Sequence, residues 1–597
     1  MTPSSASNPS PSRRWRLARR LLVGVAVVAT LIAVFYTVEN WRGRRAWETA
    51  RRALEAKGEV LDWSAYIPRT VADDQNFFKA PYMKDWFVKG SLLDLAPSSR
   101  PTPEHRPAPF ALPARAETNL AVVEVTVVPA NAALESPAAG IVLNFDEPSA
   151  RDQAAQLVRE TIGPCVIAAR GGTFVSQSPD RFKPVQLVLR ARAMPPLKEL
   201  ATFFPRNPFT NSEPFHSDTS LLEVAPAGSN VFRVCLKKPV YGATDYLALT
   251  EPLTSNFDLV RKALERPYAR IDCAYDEPYA IGIPDFITMR TAVQISAERA
   301  QCYLLVGRPE AAWHELSLVH DLCRILMVKP SGKPITLVGA MIDVAIAGLY
   351  AGIVEDGVRL HAWREPQLLA IEQQLRETEL LAPVVEAFRE ERAATLRTFE
   401  ITRRGELVKL FNFGASRGTW RSRLNDAAAT VFLTAMPRGW FFQNMALGAG
   451  VQQELLGSVD STNQLVRPSR AERYYHEVQA RLKRRSPYNF LVVISLPNFL
   501  RAVQTAARNQ TLVNQAGVAC ALERYRLARG QYPNTLDLLT PQFVEKLPHD
   551  LIGGRPLQYR RTSEGGYLLY SVGWDEKDDG GVLGNSREEG DWVWQLR

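Results

Sequence analysis

Four aspartates lie in a glycine-containing segment close to the end of the chain, and their carboxylates could bind a metal ion. Asp575, Asp578 and Asp579 precede two glycines, and Asp591 follows after a short insertion. Calcium takes about six to eight oxygen ligands from flexible loops, so these side chains suit calcium. The segment therefore predicts a calcium site, although its spacing departs from an EF-hand. The alternative interpretation is an acidic turn exposed to solvent.

A second pattern with catalytic potential is Gly414–Gly418, which matches the G-x-S-x-G sequence of serine hydrolases around Ser416. In those enzymes the motif is a tight turn between a strand and a helix that presents the serine to a histidine. Asp460 and His476 follow in the usual order. The flanking sequence is typical of helices, and no glycine-rich oxyanion segment precedes it. These three residues are therefore an alternative hypothesis, and a chance match is favoured.

The last hundred or so residues carry an ordered set of motifs. A long helix is predicted from Leu496 to Gly530, because glycine suits a left-handed cap and Pro533 blocks continuation. Two strands, Leu557–Arg561 and Gly566–Val572, follow with a short turn between them. The motifs are Tyr525-Arg526-Leu527 before Gly530 and Tyr532-Pro533, then Leu547-Pro548-His549-Asp550, then Tyr570-Ser571-Val572-Gly573-Trp574-Asp575.

This set of motifs resembles the globular end of the major pseudopilin of type II secretion systems, over residues 488–597. The resemblance implies a helix packed on a small antiparallel sheet, and a C-terminal loop that binds calcium through aspartates. The segment before Phe490 lacks the cleavage glycine with which pilins are processed, and a glutamate within the apolar run is also missing. We therefore expect an incorporated module and not a processed fibre subunit.

An apolar segment near the N-terminus is the first element of the chain that could position the body. Leu21–Val38 carries no charge, and a span needs about 20 apolar residues. Arginines cluster just before it, and aromatic residues flank it, as at membrane interfaces. No small-x-small cleavage site follows Val38, so a membrane anchor is favoured over a cleaved signal peptide. The expected location is the inner membrane, single-pass, with the N-terminus inside and the body in the periplasm.

The rest of the chain predicts an α+β multidomain protein. Period-two apolar patterns predict strands before residue 284, and helical periodicity dominates after it. Ile335–Val354 is apolar enough to span a membrane, but the central Asp343 favours a buried core helix. The predicted parts are a disordered basic tail (1–20), a span (21–38), a helical stalk with an aromatic segment (39–95), a proline-rich linker (96–115), an α+β domain (116–284), a helical domain (285–485) and the pseudopilin-like domain (486–597).

Charge and composition limit the function. The net charge of +9 is modest for 597 residues and its basic residues are scattered, which argues against nucleic-acid binding. The six cysteines form no C-x-x-C pair, so most are expected to be buried small side chains. The prediction is a non-enzymatic interaction or scaffold protein of the cell envelope, bound to the membrane through residues 21–38. Its expected partners are proteins of the secretion or envelope machinery.

Overall fold

The computed structural model describes residues 13–83, 240–270, 273–278, 281, 286–327, 336–401, 431–484, 486–495, 499–584 and 588–596, together with strands between residues 122 and 242. This part of the chain is mostly helical, with small sheets, as the sequence predicts. The sequence also predicts a helix at Ser149–Thr161, which lies outside the described residues. The linker at 96–115 and the first residues of the tail lie outside them as well.

Helix α1 (Arg13–Glu55) changes character along its length. Its apolar first part is wholly exposed, whereas Trp47 and Leu54 in its second part are buried. The helix stops close to Gly58, whose φ of 81° is the left-handed conformation that glycine adopts most easily. One unbroken helix therefore joins the candidate membrane span to the body.

The aromatic segment after α1 packs on the body through three short 3₁₀ turns, Trp63–Tyr66, Asp73–Gln75 and Phe77–Lys79. The indole nitrogen of Trp63 donates to the carbonyl oxygen of Tyr275 over 2.6 Å. The amide of Phe77 donates to the carbonyl oxygen of Tyr268, also over 2.6 Å. Because both aromatic side chains are buried, this segment belongs to the body and does not lie free.

The predicted strands of the α+β region are present. They are β1 (Val122–Val128), β2 (Ile141–Asn144), β3 (Cys165–Ala168), β4 (Thr173–Ser176), β5 (Leu187–Arg190), β6 (Leu222–Gly228), β7 (Val231–Lys237) and β8 (Val240–Gly242). Five of them form a mixed sheet in the order β2-β5-β1-β7-β6, and β3-β4-β8 form a second sheet. In the larger sheet β5 is parallel to β1 and β2, and β7 is antiparallel to β1 and β6.

The helical body follows. Its helices are α2 (Ala243–Thr250), α3 (Thr254–Leu264), α4 (Phe286–Leu305), α5 (Pro309–Met327), α6 (Leu337–Arg359), α7 (Glu365–Glu377), α8 (Leu381–Ile401) and α9 (Arg438–Leu456). Helices α4 and α5 form a hairpin, for which the sequence gives a signal in the break at Gly307 and Pro309, and Gly307 is in the left-handed region at φ 72°. Their facing residues Val293, Ala297 and Leu316 are fully buried, as the periodicity predicts.

Helix α6 is the apolar segment that could be a second span. By length and composition it could cross a membrane, but 61% of its apolar window is buried, against 0% for α1. It packs against α4, α5, α8 and the long C-terminal helix described next. Asp343 at its centre is buried inside the protein. This packing fits the core helix that the charge of Asp343 favoured.

The chain then forms β9 (Val459–Asp460), β10 (Leu465–Val466), α10 (Pro468–Leu482), α11 (Phe490–Ser495), α12 (Phe499–Arg529), β11 (Gln558–Arg561), β12 (Tyr567–Ser571) and β13 (Trp592–Leu596). The last three strands form an antiparallel sheet in the order β11-β12-β13. The amide of Gln515 on α12 donates to the carbonyl oxygen of Trp592 over 2.7 Å. A helix on a small antiparallel sheet is thus present, with a third strand, β13, that was not predicted from the sequence.

One hydrophobic core crosses residue 486, the predicted start of the last domain. It contains Val344 and Tyr350 of α6, Leu368 of α7, and Ala516 and Cys520 of α12. Helix α12 packs lengthwise on α6 and α7. The domain boundary at residue 486 stays a prediction. The apolar side chains on its two sides pack in the same core.

The described cysteines behave as small apolar side chains. Cys302, Cys323 and Cys520 are free and buried, and burial raises the pKa of all three thiols. Cys273 is partly exposed. Thiols that stay protonated in an apolar core are unreactive, which agrees with the structural role predicted for them.

Helix α1 meets the body by crossing α9 at a pair of glycines, here called the glycine crossing (Gly43 and Gly439). A Cβ atom on Gly43 would overlap the carbonyl oxygen of Gly439, and one on Gly439 would overlap that of Glu39. Around this contact the amide of Gly439 donates to Oδ1 of Asn40 over 2.7 Å. The two backbones therefore touch, and side chains larger than hydrogen do not fit between them.

A single methyl group at the crossing is expected to destabilise the protein. Gly439→Ala places a Cβ against the backbone of α1, and overpacking of this kind costs about 1–3 kcal/mol. Gly450→Ala on the same helix is the matched control, since a Cβ there meets nothing within 4 Å. It should be neutral or stabilising by up to about 1 kcal/mol, given the helix propensity of alanine. Thermal unfolding of the full chain in mild detergent measures both, and equal Tm values would contradict the crossing.

Candidate functional site

The three residues of the hydrolase hypothesis are only partly within the described chain. Ser416 lies outside it. Asp460, at the end of β9, accepts hydrogen bonds from the backbone and side-chain amides of Asn463 over 3.1 and 2.9 Å. His476 is exposed on α10, with its ring against Tyr475. Among the described residues no hydrogen bond joins Asp460 to His476, so the geometry gives the hypothesis no support.

The acidic loop between β12 and β13 folds around Asp591. This carboxylate is buried and accepts from the amides of Gly581 and Asp579 over 2.6 and 3.3 Å. Burial raises the pKa of Asp591, and the negative charge of Asp578 adds to it against these hydrogen bonds. Asp578 in turn accepts from the hydroxyl of Tyr570 over 3.1 Å. Two of the predicted ligands are therefore neighbours at one end of the sheet.

The other two predicted ligands have different surroundings. Asp575 accepts from the amides of Lys577 and Gly590, each over 3.3 Å, and the Asp579 amide binds Asp591. Within the described residues no group of three or more acidic, histidine or cysteine side chains converges as a metal site would require. The aspartates hold backbone amides of their own loop, so calcium binding stays a prediction of the sequence.

The motif at the end of α12 is a network of hydrogen bonds around Glu523. Its carboxylate is almost completely buried and accepts from the Tyr532 hydroxyl over 2.6 Å and from Arg526 over 2.6 and 2.9 Å. His361, which follows α6, lies 2.9 Å from the same carboxylate. Burial would raise the pKa of Glu523, but these partners outweigh it and hold the pKa at about 2. The hydrogen bond from Tyr532 to Glu523 thus ties the turn after α12 back to the end of that helix.

The next residue, Arg524, connects the C-terminal helix to α7. Its guanidinium donates to Glu372 and Glu365 over 2.8 Å each, and to the carbonyl oxygen of Phe543 over 2.8 Å. The arginine and Glu372 are largely buried, which makes this a charge-assisted contact screened little by salt. Burial raises the pKa of Glu372, although Arg524 opposes it. The start and the middle of α7 are therefore tied to α12.

Asp550 plays a comparable part between the remaining motifs. The buried carboxylate accepts from the Ser571 hydroxyl over 2.7 Å and from the amides of Ile552 and Val572 over 2.9 and 3.1 Å. Burial raises its pKa despite these hydrogen bonds. The Leu547–Asp550 motif and the Tyr570–Asp575 motif are thus two sides of one contact, which explains why both occur in the sequence.

A polar cleft that the sequence did not indicate opens between α3, α4 and α5, with a cavity of about 200 Å³. Arg299 on its floor is buried and donates to Glu315 over 2.8 Å and to the carbonyl oxygen of Thr250 over 3.1 Å. Arg261 at its edge lies 3.4 Å from the same glutamate. Arg261 also pairs with Asp258 over 3.2 Å, so both arginines have carboxylate partners within the protein and the cleft is a structural network.

Glu523 is expected to stabilise the fold in a pH-dependent way. Its folded pKa of about 2 lies below the usual 4.5, so its contribution is complete above pH 4.5 and is lost as the pH falls towards 2. The shift corresponds to at most about 3 kcal/mol, of which roughly half remains near pH 3. Glu523→Gln should lower Tm strongly at pH 7 and less at pH 3.

The control for this substitution is Glu564→Gln in the exposed turn between β11 and β12. This variant should leave Tm unchanged at both pH values. A Tm deficit of Glu523→Gln that is the same at pH 7 and pH 3 would show that charge has no part in the effect.

Comparison of the whole chain with known proteins gives no relative to set beside this geometry. No protein-family model, no curated protein and no solved structure matches it. The pseudopilin resemblance consequently stays a prediction carried by the motif residues whose contacts are described above.

Proposed function

We propose that this chain is a single-pass membrane protein whose body serves as an interaction scaffold in the cell envelope. The observation that carries the proposal is the continuity of α1, which leads from an exposed apolar segment straight into a buried joint with the body. The body is then fixed to the membrane by a stiff helix and not by a flexible linker. Its surfaces would be presented at a set distance and angle from the bilayer.

The backbone after the apolar segment supports an anchor over a cleaved signal. Glu39, the first residue after Val38, is buried, and its carboxylate accepts from the indole nitrogen of Trp440 over 2.8 Å. Arg42 donates to the same carboxylate over 2.8 Å. Residues 36–42 thus continue the helix of the apolar segment and contact α9, so cleavage after Val38 would cut a helix that is built into the body.

The proposed location is the inner membrane, with the N-terminus inside and the body in the periplasm. Arg16, Arg19 and Arg20 lie immediately before the apolar segment, and positive residues are retained on the cytoplasmic side. The arginines after the span are borne by a large domain, and long domains translocate largely regardless of charge. A pseudopilin-like unit at the end of the chain would suit the same side.

The scaffold part of the proposal rests on how the C-terminal unit (residues 486–597) is held. Because α12 shares the core of the body, the loop between β12 and β13 has a fixed position. Val582 and Leu583 in that loop are 61% and 55% exposed, and acidic residues flank them. Exposed apolar side chains on a fixed loop suit a protein partner, for which we propose components of the secretion or envelope machinery.

An uncleaved anchor predicts a single product that keeps both ends. With an N-terminal and a C-terminal epitope tag, both tags should appear on one band that resists alkaline carbonate extraction of membranes. The double variant Val28→Arg/Leu31→Arg is the control, because central charges are costly in lipid and should release the protein from the pellet. A soluble band that has only the C-terminal tag would refute the anchor.

A scaffold predicts partners that depend on the loop. Purification of the full chain in mild detergent, followed by mass spectrometry, should recover envelope or secretion proteins in stoichiometric amounts. The double variant Val582→Asp/Leu583→Asp should lose them, and Leu538→Asp, at an equally exposed position of the same unit, should keep them. Deletion of the unit is avoided because it would open the shared core. Wild-type protein without any partner would refute the scaffold.

A further inference from the structure

The body presents a group of aromatic residues beside the end of the apolar segment, here called the interfacial patch (Val431, Phe432, Trp440 and Tyr488). Trp440 lies at the centre, with ring centroids 6.0 Å from Phe432 and 5.8 Å from Tyr488. Val431 is 67% exposed, among the highest values for a large apolar side chain in the described residues. The patch comes from two separate parts of the chain that the fold brings together.

Contacts with α1 fix the height of this patch relative to the span. The ring of Trp440 lies 6.1 Å from that of Phe35, and the hydroxyl of Tyr36 donates to the carbonyl oxygen of Ala435. Phe35 and Tyr36 are in the last turn of Leu21–Val38. At about 1.5 Å per residue, the patch is level with the final ~5 Å of the apolar segment.

We propose that the interfacial patch is a second membrane contact, which inserts into the boundary between lipid headgroups and acyl chains. The inference rests on the proposed anchor, because Leu21–Val38 must be in the bilayer for the patch to be level with its surface. Tryptophan, tyrosine and phenylalanine next to a span are the residues that favour this boundary. The protein then has two contacts with the membrane, one through the span and one through the patch at the start of α9.

The charges around the patch agree with a lipid surface. Arg438 at the start of α9 is exposed, and so are Lys483 and Arg484 shortly before Tyr488. Cationic side chains are attracted to the headgroups of anionic lipids. Glu39 beside the patch is buried, and its carboxylate accepts a hydrogen bond from Trp440 and forms an ion pair with Arg42. A protein partner would need an apolar surface of its own at the level of the last turn of Leu21–Val38. Lipid is present at that level without any partner.

Lipid contact is tested by fluorescence quenching in the full chain. A single clickable amino acid, labelled with an environment-sensitive dye, is placed at Val431, at Val28 in the span, or at Leu538 on the far C-terminal unit; all three positions are exposed. Each protein is reconstituted in nanodiscs of zwitterionic and anionic lipids with or without bromine on the acyl chains. Bromine quenches only dyes that touch lipid.

The expected result is strong quenching at Val28, at least about half as much at Val431 for a group a few ångströms into the boundary, and none at Leu538. Quenching at Val28 without quenching at Val431 would overturn the second contact and leave the anchor in place. A dye at Val431 that is shielded from water but not quenched by bromine would mean that protein covers the patch, which also overturns it. Absence of quenching at Val28 would refute the anchor itself.

Discussion

The close crossing of two helices at Gly43 and Gly439 is the constraint on which the arrangement of this protein depends. Backbone contact at this point lets Glu39, Asn40 and Tyr36 make hydrogen bonds to α9 and the residues before it. A larger residue at either glycine would separate the helices and break these contacts. The apolar segment is thereby joined to a folded body with no flexible residue between them.

The far end of the body is held by a different kind of interaction. Helix α12 is covered by α6 and α7. The charged groups at its end, Glu523 and Arg524, have hydrogen-bond partners inside the protein. Apolar packing supplies the contact area, and the buried hydrogen bonds fix the register, because a shifted helix would leave charges unpaired. The acidic loop and its exposed Val582 and Leu583 gain a defined position through this attachment.

The sequence predicted the elements better than their association. The apolar run of α1, the α4–α5 hairpin and the two strands of the last sheet follow from periodicity and turn residues, which are local signals. The hydrogen bond between Gly439 and Asn40 at the glycine crossing joins residues 399 positions apart, and the contact of His361 with Glu523 joins residues 162 apart. No local pattern marks such pairs. β13 was not predicted, although its tryptophans alternate, because it directly follows an acidic loop that was interpreted as a metal site.

The predicted site residues have hydrogen-bond partners other than those that the sequence suggested. The residue types and the resemblance suggested four convergent ligands, whereas in the structure Asp591 and Asp575 accept hydrogen bonds from amides of their own loop. Asp460 and His476 are in order along the chain, yet Asp460 binds Asn463. Asp550 belongs to one of the motifs that carried the resemblance, whereas Glu523 and Arg524 lie just before another. The role of all three in holding the fold is visible only with their partners.

The central claim, that span and body are one stiff unit, is tested most directly by hydrogen–deuterium exchange of the full chain in nanodiscs. Amides of residues 39–55 should exchange as slowly as those of α9, because both helices are held by the same crossing. Fast exchange in 39–55 beside slow exchange in α9 would show a hinged stalk and would contradict the account.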